Sequence, residues 1–131
     1  MPFIHFGNST DVAATAEFLC PCYLDAAADA VENNRLYTIP CAGTVRGMYV
    51  QALTNALAAA EVAVVTLRRG AIGGAMGDTT CTATLAAGVL NNSDFAHPIA
   101  VAAGDRISIH WVPDGAGHVC TYPQVTLVFT Y

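Results

Sequence analysis

Apolar and polar residues alternate along most of the chain beyond residue 35, with turn-forming residues between the alternating segments. Segment 78–85 shows the pattern most clearly, because its threonines alternate with Cys81, Ala83 and Leu85. Successive side chains of a strand point to opposite faces, so this segment predicts a strand whose threonines face outward. Similar patterns predict strands at 34–40, 44–53, 61–69, 106–112 and 124–131, and the run 99–105 leads through a Gly-Asp turn into the strand at 106–112.

The parity of the apolar residues also predicts which side chains face the core. In segment 61–69 these are Ala63, Val65 and Leu67, and in segment 124–131 they are Val125, Leu127, Phe129 and Tyr131. In segment 106–112 they are Ile107, Ile109 and Trp111, while Ser108 and His110 face the other way. In segment 44–53 apolar residues fall on both parities, which predicts a strand covered on both faces. Many short strands joined by turns predict an all-β fold, a β-sandwich.

Two stretches have the alanine-rich composition of helices rather than strands. They are residues 24–36 and 52–60, and the second predicts one or two helical turns between strands. Helices and strands do not alternate regularly along the chain, so an α/β domain is not expected.

The first 35 residues differ in character from the rest of the chain. Phe3, Ile4 and Phe6 form an apolar start that a polar stretch follows, and two interpretations stay open. The segment is either an extended N-terminal arm that docks onto a neighbour, or the first strands of the sandwich and their connection. The predicted organisation is therefore residues 1–35 for this segment and 36–131 for the sandwich domain.

Composition narrows the choice of partners. The 131 residues include 54% hydrophobic and only 11% charged residues, with five Lys+Arg, all of them arginine, against ten Asp+Glu. A net charge of −5 gives no electrostatic footprint for nucleic acid. No apolar run is long enough for a membrane span, since Glu61 interrupts the best candidate at 56–67, and no signal peptide is visible. So few charged side chains predict that partner molecules cover part of the surface.

No set of residues points to catalysis, a metal or a cofactor. The glycine-rich segment 70–77 lacks the lysine of a phosphate-binding loop and predicts a flexible hairpin loop. The five cysteines lack zinc-ligand spacing, and we expect them to be small buried side chains in a reducing compartment. The histidines do not pair at metal-binding spacing, and most aspartates border turns, where they form local hydrogen bonds. The sequence therefore predicts a protein that is not an enzyme and holds no cofactor.

Several of these segments together resemble the C-terminal jelly-roll domains of bacteriophage structural proteins. The resemblance is carried by residues 39–45, the strand that follows to Leu53, and 64–70, 78–85, 93–94 and 101–109. It covers about residues 36–131, roughly three-quarters of the chain. The first 35 residues do not align with that pattern.

The resemblance implies an antiparallel jelly-roll-like β-sandwich that forms a homotrimer on the virion and is assembled in the host cytoplasm. The preferred function is a capsid decoration (cement) protein that binds the major capsid protein and stabilises the shell, because no coiled-coil heptads of a fibre shaft precede the domain. The alternative is a tail or head fibre knob that recognises a host glycan through loops 70–77, 88–98 and 113–118.

The same resemblance suggests candidate contact residues. Capsid contacts are expected at Phe3, Ile4 and Phe6, and trimer contacts at Tyr49, His110, Trp111 and Tyr122. If the N-terminal segment is an arm, deleting residues 1–10 is expected to abolish capsid binding while the trimer survives.

Overall fold

The computed structural model describes residues 2–8, 16–21, 29–114 and 119–131, which form antiparallel sheets that pack against each other. The strands are β1 (Phe3–Gly7), β2 (Glu17–Phe18), β3 (Cys20–Pro21), β4 (Tyr37–Thr38), β5 (Gly43–Gln51), β6 (Thr54–Asn55), β7 (Val62–Gly70), β8 (Gly77–Ala86), β9 (Asn91–Asp94), β10 (Ile99–Val101), β11 (Arg106–Asp114), β12 (Cys120–Thr121) and β13 (Gln124–Thr130). A 3-10 helix (Glu32–Asn34) precedes β4.

Two larger sheets form the sandwich, and their strand order is that of a jelly roll. Sheet 1 has the order β10–β5–β13–β1–β3, with β9 also pairing with β5. Sheet 2 has the order β2–β11–β7–β8, with β4 also pairing with β11. The chain crosses from one sheet to the other between β5 and β7, β8 and β9, β10 and β11, and β11 and β13, while β7 and β8 form a hairpin. The predicted all-β sandwich is confirmed.

The core lies between the two sheets and contains the residues that alternation predicted. Side chains with no more than 1% exposure include Phe6, Leu19, Ile39, Met48, Val65, Leu67, Leu85, Ile107, Ile109, Trp111 and Leu127. Strand β8 follows the prediction closely, because Cys81, Ala83 and Leu85 are buried and its threonines at 80, 82 and 84 are exposed. Tyr131 departs from the predicted pattern: β13 ends at Thr130, and this last side chain is 80% exposed.

A β-bulge explains the double parity of β5. Val45 pairs with Phe129 and Gly47 with Val128, so Arg46 is an extra residue on β5. The inward side chains therefore change from odd to even positions, from Val45 to Met48 and Val50. The expectation that both faces of this strand are covered is wrong, because Tyr49 on its outer face is 56% exposed.

The helical turns predicted for 52–60 are absent: this segment contains β6 and a turn at residues 59–60. The Asn55 amide donates hydrogen bonds to the carbonyls of Ala86 and Val89, both at 2.8 Å, and Leu57 is buried. These tertiary contacts outweigh the helical propensity of the alanines in this segment. Of the other predicted helical stretch, 24–36, residues 24–28 lie outside the described residues, and 32–34 form the 3-10 helix.

The N-terminal segment contributes strands to both sheets. Strand β1 pairs with β13 along its whole length and with β3 on its other side, and Phe6 is fully buried. Of the two interpretations that the sequence left open, residues 3–7 are the first strand of the sandwich. Residues 17–18 and 20–21 extend sheets 2 and 1 respectively.

Candidate functional surface

The three predicted capsid-contact residues point in two directions. Phe3 is 56% exposed on the outer face of sheet 1, whereas Ile4 and Phe6 are 7% and 0% exposed. In a strand with one face on the core, alternate side chains must enter the core, and Ile4 and Phe6 take those positions. The prediction that Ile4 and Phe6 contact a partner is therefore wrong in this fold, and Phe3 is the residue of the three that is available.

The four predicted trimer-contact residues are also divided between core and surface. Trp111 is 1% exposed and belongs to the core, so it offers no surface to a partner. His110 faces away from the core and pairs in register with Phe18 of the neighbouring strand β2, and the two rings stack with 4.5 Å between centroids. Tyr49 and Tyr122 are 56% and 47% exposed, and both border the outer face of sheet 1.

Neighbouring strands bring the exposed aromatic residues of sheet 1 together. In register, Phe3 pairs with Val128, which pairs with Gly47, while His5 pairs with Thr126 and Thr126 with Tyr49. The Phe95 ring lies over Gly47 and contacts the Tyr49 ring, with 4.8 Å between centroids. We call the outward surface formed by Phe3, His5, Tyr49, Phe95, Thr126 and Val128 the aromatic face. None of these six residues is Asp, Glu or Arg, and the exposed Arg46 lies at the β5 bulge beside them.

A groove continues the same surface at the end of sheet 1. It encloses about 470 Å³, and we call it the amide groove because of its lining: Gln51, Leu53, Leu90, Asn91, Tyr122 and Gln124. Three segments that are distant in sequence converge here, since β5 pairs with both β9 and β13. Loop 88–98 was expected to carry glycan contacts and does contribute to the groove, but Tyr122 and the glutamines were not predicted to join it.

Two aspartates outside this surface have structural partners. Asp105 accepts hydrogen bonds from the Ala102 N–H (2.8 Å) and from Arg69 Nε (2.7 Å), which close the Gly-Asp turn. Asp94 accepts from the Thr82 and Ala96 N–H groups, both at 2.9 Å. These contacts lower the pKa of both carboxyls, and they show that these aspartates serve the turns, as the sequence predicted.

The described cysteines are free thiols at positions 20, 41, 81 and 120. Cys20, Cys81 and Cys120 are buried, and burial raises the pKa of the Cys81 thiol to about 12. A thiol that stays protonated is a poor nucleophile and a poor metal ligand. Within the described ranges, no three His, Cys, Asp or Glu side chains lie close enough together to hold a metal ion.

No protein-family model matches the chain, and no curated protein sequence shows significant similarity to it. Within the part of the chain that the structure describes, no helix has the length and apolar character needed to cross a membrane.

Proposed function

We propose that this chain is a structural virion protein, a capsid decoration protein that assembles as a homotrimer and docks on the outer capsid shell. The observation that carries the proposal is the aromatic face, an uncharged surface with exposed rings on a rigid sheet. Exposed aromatic clusters free of charge are typical of protein contact surfaces. Jelly rolls occur in capsid and lectin domains alike, so the fold alone does not select the function.

The size of the aromatic face favours docking to a repetitive shell. Four strands about 4.8 Å apart and two rows about 6.8 Å apart give a footprint on the order of 250 Å². A standard stable interface buries about 800 Å² on each partner. One such contact is weak, but a trimer that presents three faces to a regular lattice gains strength from multivalency.

The face can serve the shell or a second copy of the chain, and one pair of variants separates these uses. Tyr49→Asp places a charge in the middle of the aromatic face, and Ile72→Asp places the same charge on a side chain that is 80% exposed in the loop between β7 and β8. We expect Tyr49→Asp to lose binding to purified capsids, to keep its sedimentation coefficient, and to differ from Ile72→Asp only in capsid binding.

Three results would contradict the proposal. If Tyr49→Asp dissociates the oligomer, the aromatic face is a contact between copies. If it binds capsids as well as the Ile72→Asp control, the face is not the docking surface. Quantitative mass spectrometry of purified particles tests the virion assignment itself: hundreds of copies indicate decoration, a few tens indicate a fibre, and absence overturns the assignment.

A further inference from the structure

The amide groove has the volume of a ligand site. Its volume of about 470 Å³ falls in the range of about 300–1,000 Å³ that is common for small-molecule sites. Leu53 and Leu90 are 65% and 45% exposed and supply apolar surface, while three amide side chains supply polar groups. This combination of apolar surface with a few converging polar groups is typical of a binding site.

Two glutamines on neighbouring strands fix each other's orientation. The Gln51 Nε2 amine donates a 2.6 Å hydrogen bond to Gln124 Oε1, across the pair that β5 and β13 form. This bond uses one donor and one acceptor, so the pair still offers the Gln51 Oε1 acceptor and the Gln124 Nε2 donors. Asn91 pairs with Gln51 from the opposite side and adds a third amide to the lining.

The aromatic side chain of the groove is held by an unusual backbone. Tyr122 has a φ of +46°, which costs energy for a non-glycine residue, and its side chain is 47% exposed. Hydrogen bonds on both sides hold this conformation: the Leu53 N–H donates to Thr121 O at 2.9 Å, and the Asn8 N–H donates to Pro123 O at 3.2 Å. The strained residue is thus fixed at the groove rather than displaced from it.

These features together select the chemistry of the ligand. None of the residues that line the groove is ionised, and the chain carries a net charge of −5, so an anionic ligand finds no counter-charge. Sugar hydroxyls both donate and accept hydrogen bonds, which matches the amides, and the C–H face of a sugar ring packs on an aromatic ring. We propose that the amide groove binds a neutral oligosaccharide, with Tyr122 as the stacking residue.

Titration by two-dimensional ¹⁵N NMR of the full chain tests this inference. The probes are maltotriose, cellotriose and chitotriose, with sialyllactose as the anionic comparison. We expect at least one neutral probe to shift the side-chain amide signals of Gln51, Asn91 and Gln124. Tyr122→Asn removes the ring with a residue that tolerates positive φ and should weaken that Kd about tenfold. Tyr131→Asn, at a tyrosine 80% exposed outside the groove, should leave the Kd unchanged.

Other outcomes overturn the inference. The inference fails if no neutral probe shifts the NMR signals at about 10 mM, or if sialyllactose alone shifts them. It also fails if the shifted signals lie outside the groove, or if Tyr122→Asn binds the probe as tightly as the wild type. The dispersion of the NMR spectrum shows directly whether each variant is folded. The inference does not rest on capsid docking, which Tyr49→Asp tests at a different part of the surface.

Discussion

Backbone strain at single residues is concentrated in two places of the described chain. Apart from glycines, only Ala60 and Tyr122 among the described residues have positive φ, at +73° and +46°. Tyr122 lines the amide groove, but Ala60 is an exposed turn residue between β6 and β7 without such a position. The positive φ of Ala60 therefore destabilises the fold, and a glycine at this position would adopt the same φ without strain.

Replacing Ala60 with glycine should stabilise the protein. The left-handed conformation costs an alanine about 1–2 kcal/mol, and the extra freedom of glycine in the unfolded chain cancels about 0.4–1 kcal/mol of the gain. We expect Ala60→Gly to raise the free energy of unfolding by about 0.5–1 kcal/mol in urea titrations. The matched control, Ala59→Gly, changes a neighbouring exposed residue without positive φ and should lower it. Equal effects of the two changes would contradict this account.

Gly47 is required for a different reason, which is close packing beneath the aromatic face. A Cβ atom at this position would collide with the Asp94 carbonyl oxygen and with the ring of Phe95. Gly47→Ala should therefore cost about 1–3 kcal/mol of stability and displace the Phe95 ring. Gly77→Ala is the control, because a Cβ there meets nothing within 4 Å. Thermal unfolding of both variants checks the prediction, and a destabilised Gly77→Ala with a stable Gly47→Ala would refute it.

The contacts of the Asp105 carboxylate predict how the stability of the protein depends on pH. The hydrogen bond from the Ala102 N–H, followed by the contact with Arg69, lowers the pKa of its carboxyl. A depressed pKa stabilises the fold above the unfolded-state pKa of about 3.9, and the contribution is lost as the pH falls through the lower folded-state pKa. Asp105→Asn should lower Tm by several degrees at pH 7 and by less near pH 2.5.

The exposed Asp114 at the end of β11 provides the comparison for Asp105. Asp114→Asn should change Tm little at either pH. If Asp105→Asn loses the same amount of stability at both pH values, its carboxylate charge is not what stabilises the turn.

At the scale of elements, β2 extends the edge of sheet 2, and Phe18 of β2 and the 3-10 helix contact side chains on the outer face of that sheet. Phe18 stacks on His110 and lies 5.8 Å from the Arg68 guanidinium. Glu32 bonds to Arg68 at 2.6 Å and accepts a hydrogen bond from Ser108 Oγ. Through these contacts, Phe18 and Glu32 of the N-terminal segment 1–35 pack against the sandwich. They also explain why Ser108 is fully buried on the face that alternation assigns to solvent.

The protonation of His110 makes the stability of this part of sheet 2 depend on pH. Burial, and then the charge of Arg68, lowers the pKa of His110, although Asp78 and Glu32 act in the opposite direction. The folded state thus favours neutral His110, and stability falls as the pH drops below the unfolded-state value of about 6.5 towards the lower folded-state pKa. His110→Phe keeps a ring against Phe18 and should reduce the slope of stability between pH 7.5 and 5. An unchanged slope in urea unfolding would refute this assignment.

Strand prediction succeeds where one face is buried and the alternation of side chains is not interrupted. Strands β7 and β8 follow the predicted parity, and inward residues such as Ala63 and Leu85 face the core. Their register shift between Thr66 and Arg68 amounts to two residues, so it leaves the parity unchanged. Parity failed in β5 because the bulge at Arg46 shifts the pattern by one residue, which no local propensity reveals. The short strands β6, β9 and β12 are polar, and pairing rather than periodicity defines them.

At the scale of the whole molecule, the candidate surface is a product of topology. Tyr49, Phe95 and Phe3 come from different parts of the sequence, and β5, β9, β13 and β1 must pair in one register before they meet. The same holds for Gln51, Asn91 and Gln124 in the groove. Sequence reasoning identified Tyr49, Tyr122 and Phe3 individually as contact residues but had no means of placing them on one surface.

The position of β1 changes what truncation of the N-terminus should do. One of the two interpretations of the sequence was a removable arm, but β1 lies between β13 and β3 and places Ile4 and Phe6 in the core. Each buried side chain of this size contributes about 1.5–3 kcal/mol, and the lost pairing with β13 adds to this, against a total stability of about 5–15 kcal/mol for a typical domain. We therefore expect deletion of residues 1–10 to unfold the protein, with loss of the β signal in circular dichroism.

A single substitution separates the structural role of β1 from a docking role. Phe3→Ser removes the exposed ring of β1 without touching Ile4 or Phe6, so the variant should remain folded while its aromatic face is weakened. Loss of capsid binding in folded Phe3→Ser, together with unfolding of the deletion variant, is the expected pair of results. A deletion variant that keeps its fold and its trimer would instead restore the arm and remove β1 from the essential part of the sandwich.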